Sequence, residues 1–291
     1  MPVDNEIYNA AGDAWWDEGQ PLHALRTFMN PARMQYFTSV FSAKGLDPAG
    51  KVIIDIGCGG GLFAEEVAEL GASVIGIDPA PGAIAAARKH AAAAGLAIDY
   101  RVGAGEHLPA DDTCADIVYC VDVLEHVADL DAVIGETARV LKPGGLYLFD
   151  TINRTRLSKL VAIKLSQEWA ATAWMPPGLH DWDQFITPAE LSETLARHGL
   201  DQHDLTGMSP GISPPALIRL LRRVKKGKLS YADFGRQAAF TLTSDLRISY
   251  LGHATKNGSC PSASPNATTS ADRTADADRS GERPGLRVTG N

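Results

Sequence analysis

Cysteine is scarce in this chain of 291 residues, and none of the four (Cys58, Cys114, Cys120, Cys260) forms a CxxC pair or a Cys/His zinc spacing. That argues against a disulfide framework and a structural zinc, and suits reduced thiols in a reducing compartment. No apolar run reaches 18 residues, so nothing is expected to span a bilayer. The opening MPVDNEIYNAAGDAWWDE lacks the basic and apolar regions of a signal peptide, which points to a cytoplasmic protein. Excess positive charge is also missing: a net charge of −8 argues against a general nucleic-acid binder. There is no internal repeat. What the chain does have is a hydrophobic fraction of 45%, enough for a sizeable core.

Residues 1–47 read as a helical cap, with Trp15, Trp16, Leu22, Leu25, Phe28, Met34, Phe37 and Phe41 near helical spacing and a break at Asn30-Pro31. Strands then alternate with helices. The apolar runs 52–57, 73–78, 98–103, 116–121 and 145–151 suit strands buried on both faces, and 62–70, 82–95 and 130–141 suit the helices between them. Such alternation predicts an α/β fold with a parallel sheet. The residues Lys142-Pro143-Gly144-Gly145 mark a turn before the fifth strand. Residues 152–187 interrupt the rhythm as an insertion. A helix resumes at 188–199, with Thr187 as N-cap and Pro188 at its first position. The main domain is thus expected at 48–251. From 252 to 291 large apolar side chains nearly vanish, which predicts a disordered tail.

The sequence Asp55-Ile-Gly57-Cys-Gly59-Gly60-Gly61 falls where a strand turns into a helix. Glycine permits the tight turn and lets a ligand approach the backbone and the first helical N–H groups. Dinucleotide enzymes use GxGxxG, whereas these glycines fall as GxGxG. Asp55 can accept from the ammonium of a methionine moiety. Asp78 closes the second strand, 21 residues after Gly57, where an acid would take both ribose hydroxyls. The spacing points to S-adenosylmethionine (SAM) rather than NAD.

A second constellation, Asp122, Glu125 and His126, follows the fourth strand, where ligands bind in open parallel sheets. If a helix begins there, these residues share one face. Two carboxylates and an imidazole can chelate a divalent cation such as Mg²⁺. Alternatively, Glu125 and His126 serve catalysis directly, with His126 removing a proton. Capping of the next helix by the carboxylates is the structural alternative.

Together WWDEGQPLHALRTFMNPARMQYF, IDIGCGGGLFAEEVAELGASVIGID, VDVLEHV, LKPGG and LHDWDQFITPAEL resemble the ubiquinone-biosynthesis O-methyltransferases, over residues 13–210. The resemblance implies a Rossmann-like class I fold with a mostly parallel seven-stranded sheet. It implies methyl transfer from SAM to a hydroxyl of a phenolic, polyprenylated catechol or quinol. It implies that Arg33 holds the SAM carboxylate and that Gly59 to Gly61, Asp78 and Val121 line the pocket. Gly105 and Glu106 would hold the adenine, Ala104 standing where many members have Asp. The metal ligands would be Asp122, Glu125 and His126, although Asp122 replaces the usual Glu. The segment 154–175 matches a lipid-contacting insertion. Its Arg154, Arg156, Lys159 and Lys164 among apolar residues fit a peripheral membrane helix on the inner face of the membrane, or a lid.

His180 and Asp181 are candidates for positioning substrate. The basic run 219–228 is a second lipid-facing candidate or a solvated face. After about residue 210 the resemblance fades, which leaves a different phenol open as substrate. C- or N-methylation of another small molecule, and a SAM- or lipid-binding assembly factor without turnover, are the competing readings.

Overall fold

The computed structural model describes residues 6–258. Its centre is built from short apolar runs ended by turns. β1 (Val52–Ile56), β2 (Ser73–Asp78), β3 (Asp99–Val102), β4 (Ala115–Cys120) and β5 (Leu141–Ile152) lie parallel in the order β3-β2-β1-β4-β5. Their side chains alternate between two cores. Ile53, Ile117, Tyr119, Leu146 and Leu148 enter one, and Ile54, Val118, Cys120, Tyr147 and Phe149 the other. Burial on both faces explains why β1, β4 and β5 read as continuous hydrophobic runs, while the edge strand β3 buries mainly Tyr100. Lys142 to Gly145 lie inside β5, where the register with β4 shifts between Ala115 and Ile117 and Gly144 takes φ +76°.

The N-terminal region comprises α1 (Glu6–Ala11), a 3₁₀ turn (Gly12–Trp16), α2 (Ala24–Phe28) and α3 (Asn30–Lys44). α3 starts at the expected Asn30-Pro31 break and ends on left-handed Gly45. It packs on the first face of the sheet with α4 (Ala64–Ala68) and α5 (Pro81–Ala94), through Phe37, Phe41, Val67 and Ile84. α6 (Leu130–Val140) covers the other face. α7 (Arg156–Ser158) runs into a π-helical stretch, Lys159–Glu168. α8 (Pro188–Arg197) joins α6, burying Leu191 and Leu195. Thr187 caps its start with Pro188 in the first turn, as the sequence predicts, and Glu190 completes a reciprocal capping box.

The sheet has nine strands among the described residues, rather than seven. β6 (Leu200–Gln202), β7 (Thr206–Pro210), β8 (Phe240–Thr243) and β9 (Ser249–Lys256) complete it, with β9 antiparallel to β5. β6 is too short to show a period, and β8 lies beyond the helices α9 (Pro214–Lys225) and α10 (Tyr231–Ala238), where the resemblance fades. The boundary at 252 is also corrected. Gly252 to Lys256 continue β9 because pairing with β5 on one side and β6 on the other satisfies their backbone. Residues 259–291, the rest of the expected tail, lie outside the described residues. Among the described residues no helix is long and apolar enough to cross a membrane.

Candidate active site

The strand order turns outward in both directions from the β1–β4 pair, so the loops after these strands flank one crevice. The first is the glycine loop. Gly57 and Cys58 donate their N–H groups to the Ile77 carbonyl at 2.7 and 3.1 Å, tying the loop to β2. Gly57 has φ +75°, and a Cβ there would meet Val123 at 2.3 Å, so no other residue fits this turn. Asp78 accepts from the N–H groups of Gly59 and Ala80, each at 2.8 Å. The acid expected at the ribose therefore also shapes the loop.

The N-terminal cap closes over this loop. A Cβ on Gly60 would fall 2.4 Å from the Trp15 ring, and Trp16 Nε1 donates to the Gly60 carbonyl at 2.9 Å. Trp16 in turn stacks on His90 at 3.3 Å, while His90 Nδ1 pairs with Glu65 at 2.9 Å.

A cavity of about 510 Å³ opens beneath this cap. Of the residues expected around the cofactor, Arg33, Asp55, Gly57, Gly59, Asp78, Gly105, Glu106 and Val121 line it. Gly61 does not: it sits behind the wall, where a Cβ would strike the Tyr100 hydroxyl at 2.3 Å. Asp55 lines the cavity and is 1% exposed, and burial pushes its pKa up to about 8 against the opposing pull of the Tyr119 hydroxyl. A buried carboxyl on a cavity wall suits an incoming ammonium, which would restore its charge. This carboxyl, with the glycine backbone and Asp78 beside it, fits SAM. Glu106 Oε1 accepts from the Ala128 N–H at 3.0 Å, which ties the loop after β3 to that after β4.

Arg33 lines the cavity, with three of its five N–H donors already engaged. Nε and Nη2 donate to the two carboxylate oxygens of Asp150 at 2.5 and 3.2 Å, and Nη1 reaches Asn30 Oδ1 at 3.4 Å. Asp150 also accepts from the Asp122 N–H at 2.7 Å. Asp150, at the end of β5, is the functional neighbour that sequence reasoning missed. Its only signal was an acid in an otherwise apolar strand.

The residues after β4 do not form a helix with one chelating face. Asp122 takes φ +59°, and only a 3₁₀ turn, Leu124–His126, follows before α6 begins under its Asp129 cap. Asp122 thus turns toward Arg33, 3.8 Å away, while Glu125 turns inward and accepts from the Thr151 hydroxyl at 2.8 Å. The side chains that converge are Glu125, His126 and His180, with ligand atoms within 4.8 Å of one another. Asp122 is not among them, which corrects the expected set. One carboxyl and two imidazoles are not the oxygen-rich set that Mg²⁺ selects. The donors do not fit that ion.

Burial, reinforced by the Asp122 charge, pushes Glu125 up to about 8, so it keeps its proton at neutral pH. Burial lowers the pKa of His126 against the opposing pull of Asp122, and its Nδ1 is buried without a partner. His126 is therefore a neutral imidazole on the cavity wall. His180, across from it at 4.9 Å between ring centroids, is lowered by burial to about 4.

The parallel sheet, the capped glycine loop and the acid closing β2 define a class I SAM-dependent methyltransferase. Residues 54–149 match the family described as "Methyltransferase domain". A SAM-dependent methyltransferase from Aquifex aeolicus shares the fold at TM-score 0.52 and 12% identity, over 87% of this chain and 98% of that one. A geranyl diphosphate methyltransferase in complex with GPP and sinefungin does so at TM-score 0.52 and 18% identity, over 72% and 73%. The ubiquinone biosynthesis O-methyltransferase of Azorhizobium caulinodans is 40% identical over 71% of this chain and 83% of its own length. That of Cereibacter sphaeroides is 42% identical over 71% and 85%. The chain belongs to the ubiquinone biosynthesis O-methyltransferase family and is a SAM-dependent O-methyltransferase.

Proposed function

We propose that this enzyme methylates a phenolic hydroxyl of a catechol or quinol, a small quinone-type acceptor that carries a polyprenyl chain in the pathway form. The observation that carries the reading is one cavity joining Asp55 and Asp78 to the neutral imidazole of His126. Bound SAM supplies an electrophilic methyl group. Asp55 would hold its ammonium, Asp78 its ribose, and the loop from Ala104 to Glu106 its adenine. His126 takes the phenol proton. The charge of Asp122 raises the His126 pKa and so stabilises the imidazolium that forms. Apolar walls from Trp15, Leu22 and Leu25 exclude water and hold the reactants together. No step is routed through a metal.

His126→Ala is expected to lower kcat by about 10²–10⁴-fold, the usual worth of a general base, with the KM for SAM unchanged. The rate should recover as pH approaches the pKa of the phenol, because a preformed phenolate needs no base. Steady-state rates with a catechol and labelled SAM check this. Methyl transfer only to carbon or nitrogen would sink the functional reading.

A peripheral membrane contact is part of the proposal, through 154–175 and through α9. Within 154–175 Arg154 pairs with Glu190, Lys164 with Glu168, and Lys159 lies over Trp182 at 4.4 Å, while exposed Arg156 has no ion-pair partner among the described residues. α9 buries Leu221 and Val224, and its exposed Arg219, Arg222 and Arg223, with the following Lys226, have no ion-pair partner among the described residues. Lys225 Nζ donates to the Ala170 carbonyl, next to Trp169, which is 52% exposed. A cation near an anionic leaflet contributes about 1 kcal/mol, so changing these four to Gln should lower binding to phosphatidylglycerol vesicles at least about tenfold. Co-sedimentation at low salt measures it. Equal binding by the variant would remove α9 from the contact.

A further inference from the structure

The insertion reaches the acceptor end of the cavity through one buried side chain, Gln167, which is 4% exposed. Its amide makes three contacts. Oε1 accepts from the His180 backbone N–H at 3.0 Å, Nε2 donates to the Ala162 carbonyl at 2.7 Å, and Nε2 lies 3.1 Å from His180 Nδ1. The first two contacts fix which end of the amide is which. Exchanging its O and N would set donor against donor and acceptor against acceptor. The second hydrogen of Nε2 is therefore what meets His180 Nδ1, and Nδ1 must accept it. A neutral imidazole carries one proton, so that proton sits on Nε2.

We propose that Gln167 is a positioning residue that locks His180 as the Nε2–H tautomer, and that this N–H donates to the acceptor's oxygen on the carbon next to the hydroxyl being methylated. Gln167 is not on the cavity wall, whereas His180 is. The amide thus occupies the Nδ1 edge from behind, and Nε2–H is the polar group left for the substrate. His126, 4.9 Å away between ring centroids, serves the reacting hydroxyl, so two neighbouring imidazoles face two neighbouring oxygens. The same tautomer gives His180 no free lone pair, which is a second reason why the converging group does not fit Mg²⁺. The inference rests on the proposed catechol or quinol acceptor and says which feature of it is recognised: a pair of adjacent oxygens.

The test compares wild type, Gln167→Glu, His180→Leu and His180→Gln. Each is assayed with labelled SAM on a 4-alkylcatechol and the matching 4-alkylphenol, and nitrogen-15 NMR of labelled histidine reads the tautomer. Gln167→Glu keeps shape and still accepts from the His180 N–H, but a carboxylate cannot donate to Nδ1, so the proton should move there. Wild type should show a protonated Nε2 and a bare Nδ1. The preference for catechol over phenol in kcat/KM should fall about tenfold or more in Gln167→Glu and His180→Leu, as expected for one lost hydrogen bond. The KM for SAM should stay constant. His180→Gln places an amide N–H near the lost Nε2–H and should keep most of the preference, whatever the stability of the Gln167 variant. A proton on Nδ1 in wild type, or an unchanged preference in both weakened variants, would overturn the proposal. Wild type that methylates neither acceptor would overturn the functional reading instead, and the NMR result would still decide the tautomer.

Discussion

Replacing Asp78 with alanine is expected to weaken SAM binding by about 10²–10⁴-fold, since hydrogen bonds to a charged acceptor are each worth about 1.5–3 kcal/mol and a ribose diol makes two. A carboxylate has about four lone-pair sites. Two of them already hold the N–H groups of Gly59 and Ala80, which leaves room for two hydroxyls on the cavity side. The variant loses both sets. Its SAM-free form should melt somewhat lower, because Gly59 N–H is left without its acceptor and the loop under Trp15 loosens. Asp78→Asn keeps an acceptor oxygen without the charge and should fall between. Calorimetric titration with SAM, read beside melting curves without it, separates the two roles. Unchanged SAM affinity in a destabilised Asp78→Ala would leave Asp78 as a loop fastener only.

This double duty shows what a sequence carries and what it hides. The central strands β1, β4 and β5 were legible because both faces are buried, so Ile53-Ile54, Ile117 to Cys120 and Leu146 to Phe149 leave unbroken apolar runs, whereas edge strand β3 buries little but Tyr100. Gly57, Asp78 and Thr187 were legible because local backbone geometry demands those residue types at those places. Side-chain direction after β4 was not. A single positive φ at Asp122 decides that Glu125 faces Thr151 while Asp122 faces Arg33, and i, i+3, i+4 spacing assumes a helix that never forms. His180 was visible as a candidate. Its tautomer was not, because it depends on an amide thirteen residues earlier that folds back from a π-helical stretch. Similarly, Trp174 lies on the cavity wall and packs edge-on to Phe28 at 6.0 Å, with Phe234 of α10 behind it at 5.7 Å. The C-terminal segment that departs from the family thus supports the cavity wall from behind.

Arg33 carries the second large effect. Arg33→Met should destabilise the SAM-free protein by about 3–5 kcal/mol, the usual consequence of removing one partner from a buried ion pair. Asp150 is 1% exposed, and without the guanidinium it keeps only the Asp122 N–H and faces the Asp122 charge. In the variant, burial and Asp122 raise the Asp150 pKa above its unfolded value near 3.9, so the folded state binds the extra proton. Stability lost through Asp150 should then grow as pH rises through that raised value, and urea midpoints should separate more at pH 8 than at pH 5. Arg33→Met with Asp150→Asn removes both charges yet keeps an oxygen for the Asp122 N–H. It should recover much of the loss, and the double-mutant cycle measures the coupling. The outcome decides between two roles for one arginine. If Arg33 serves mainly the SAM carboxylate, the single variant keeps its urea midpoint and loses SAM affinity. If it serves mainly to brace the ends of β4 and β5, stability falls first, and Asp150→Asn restores it.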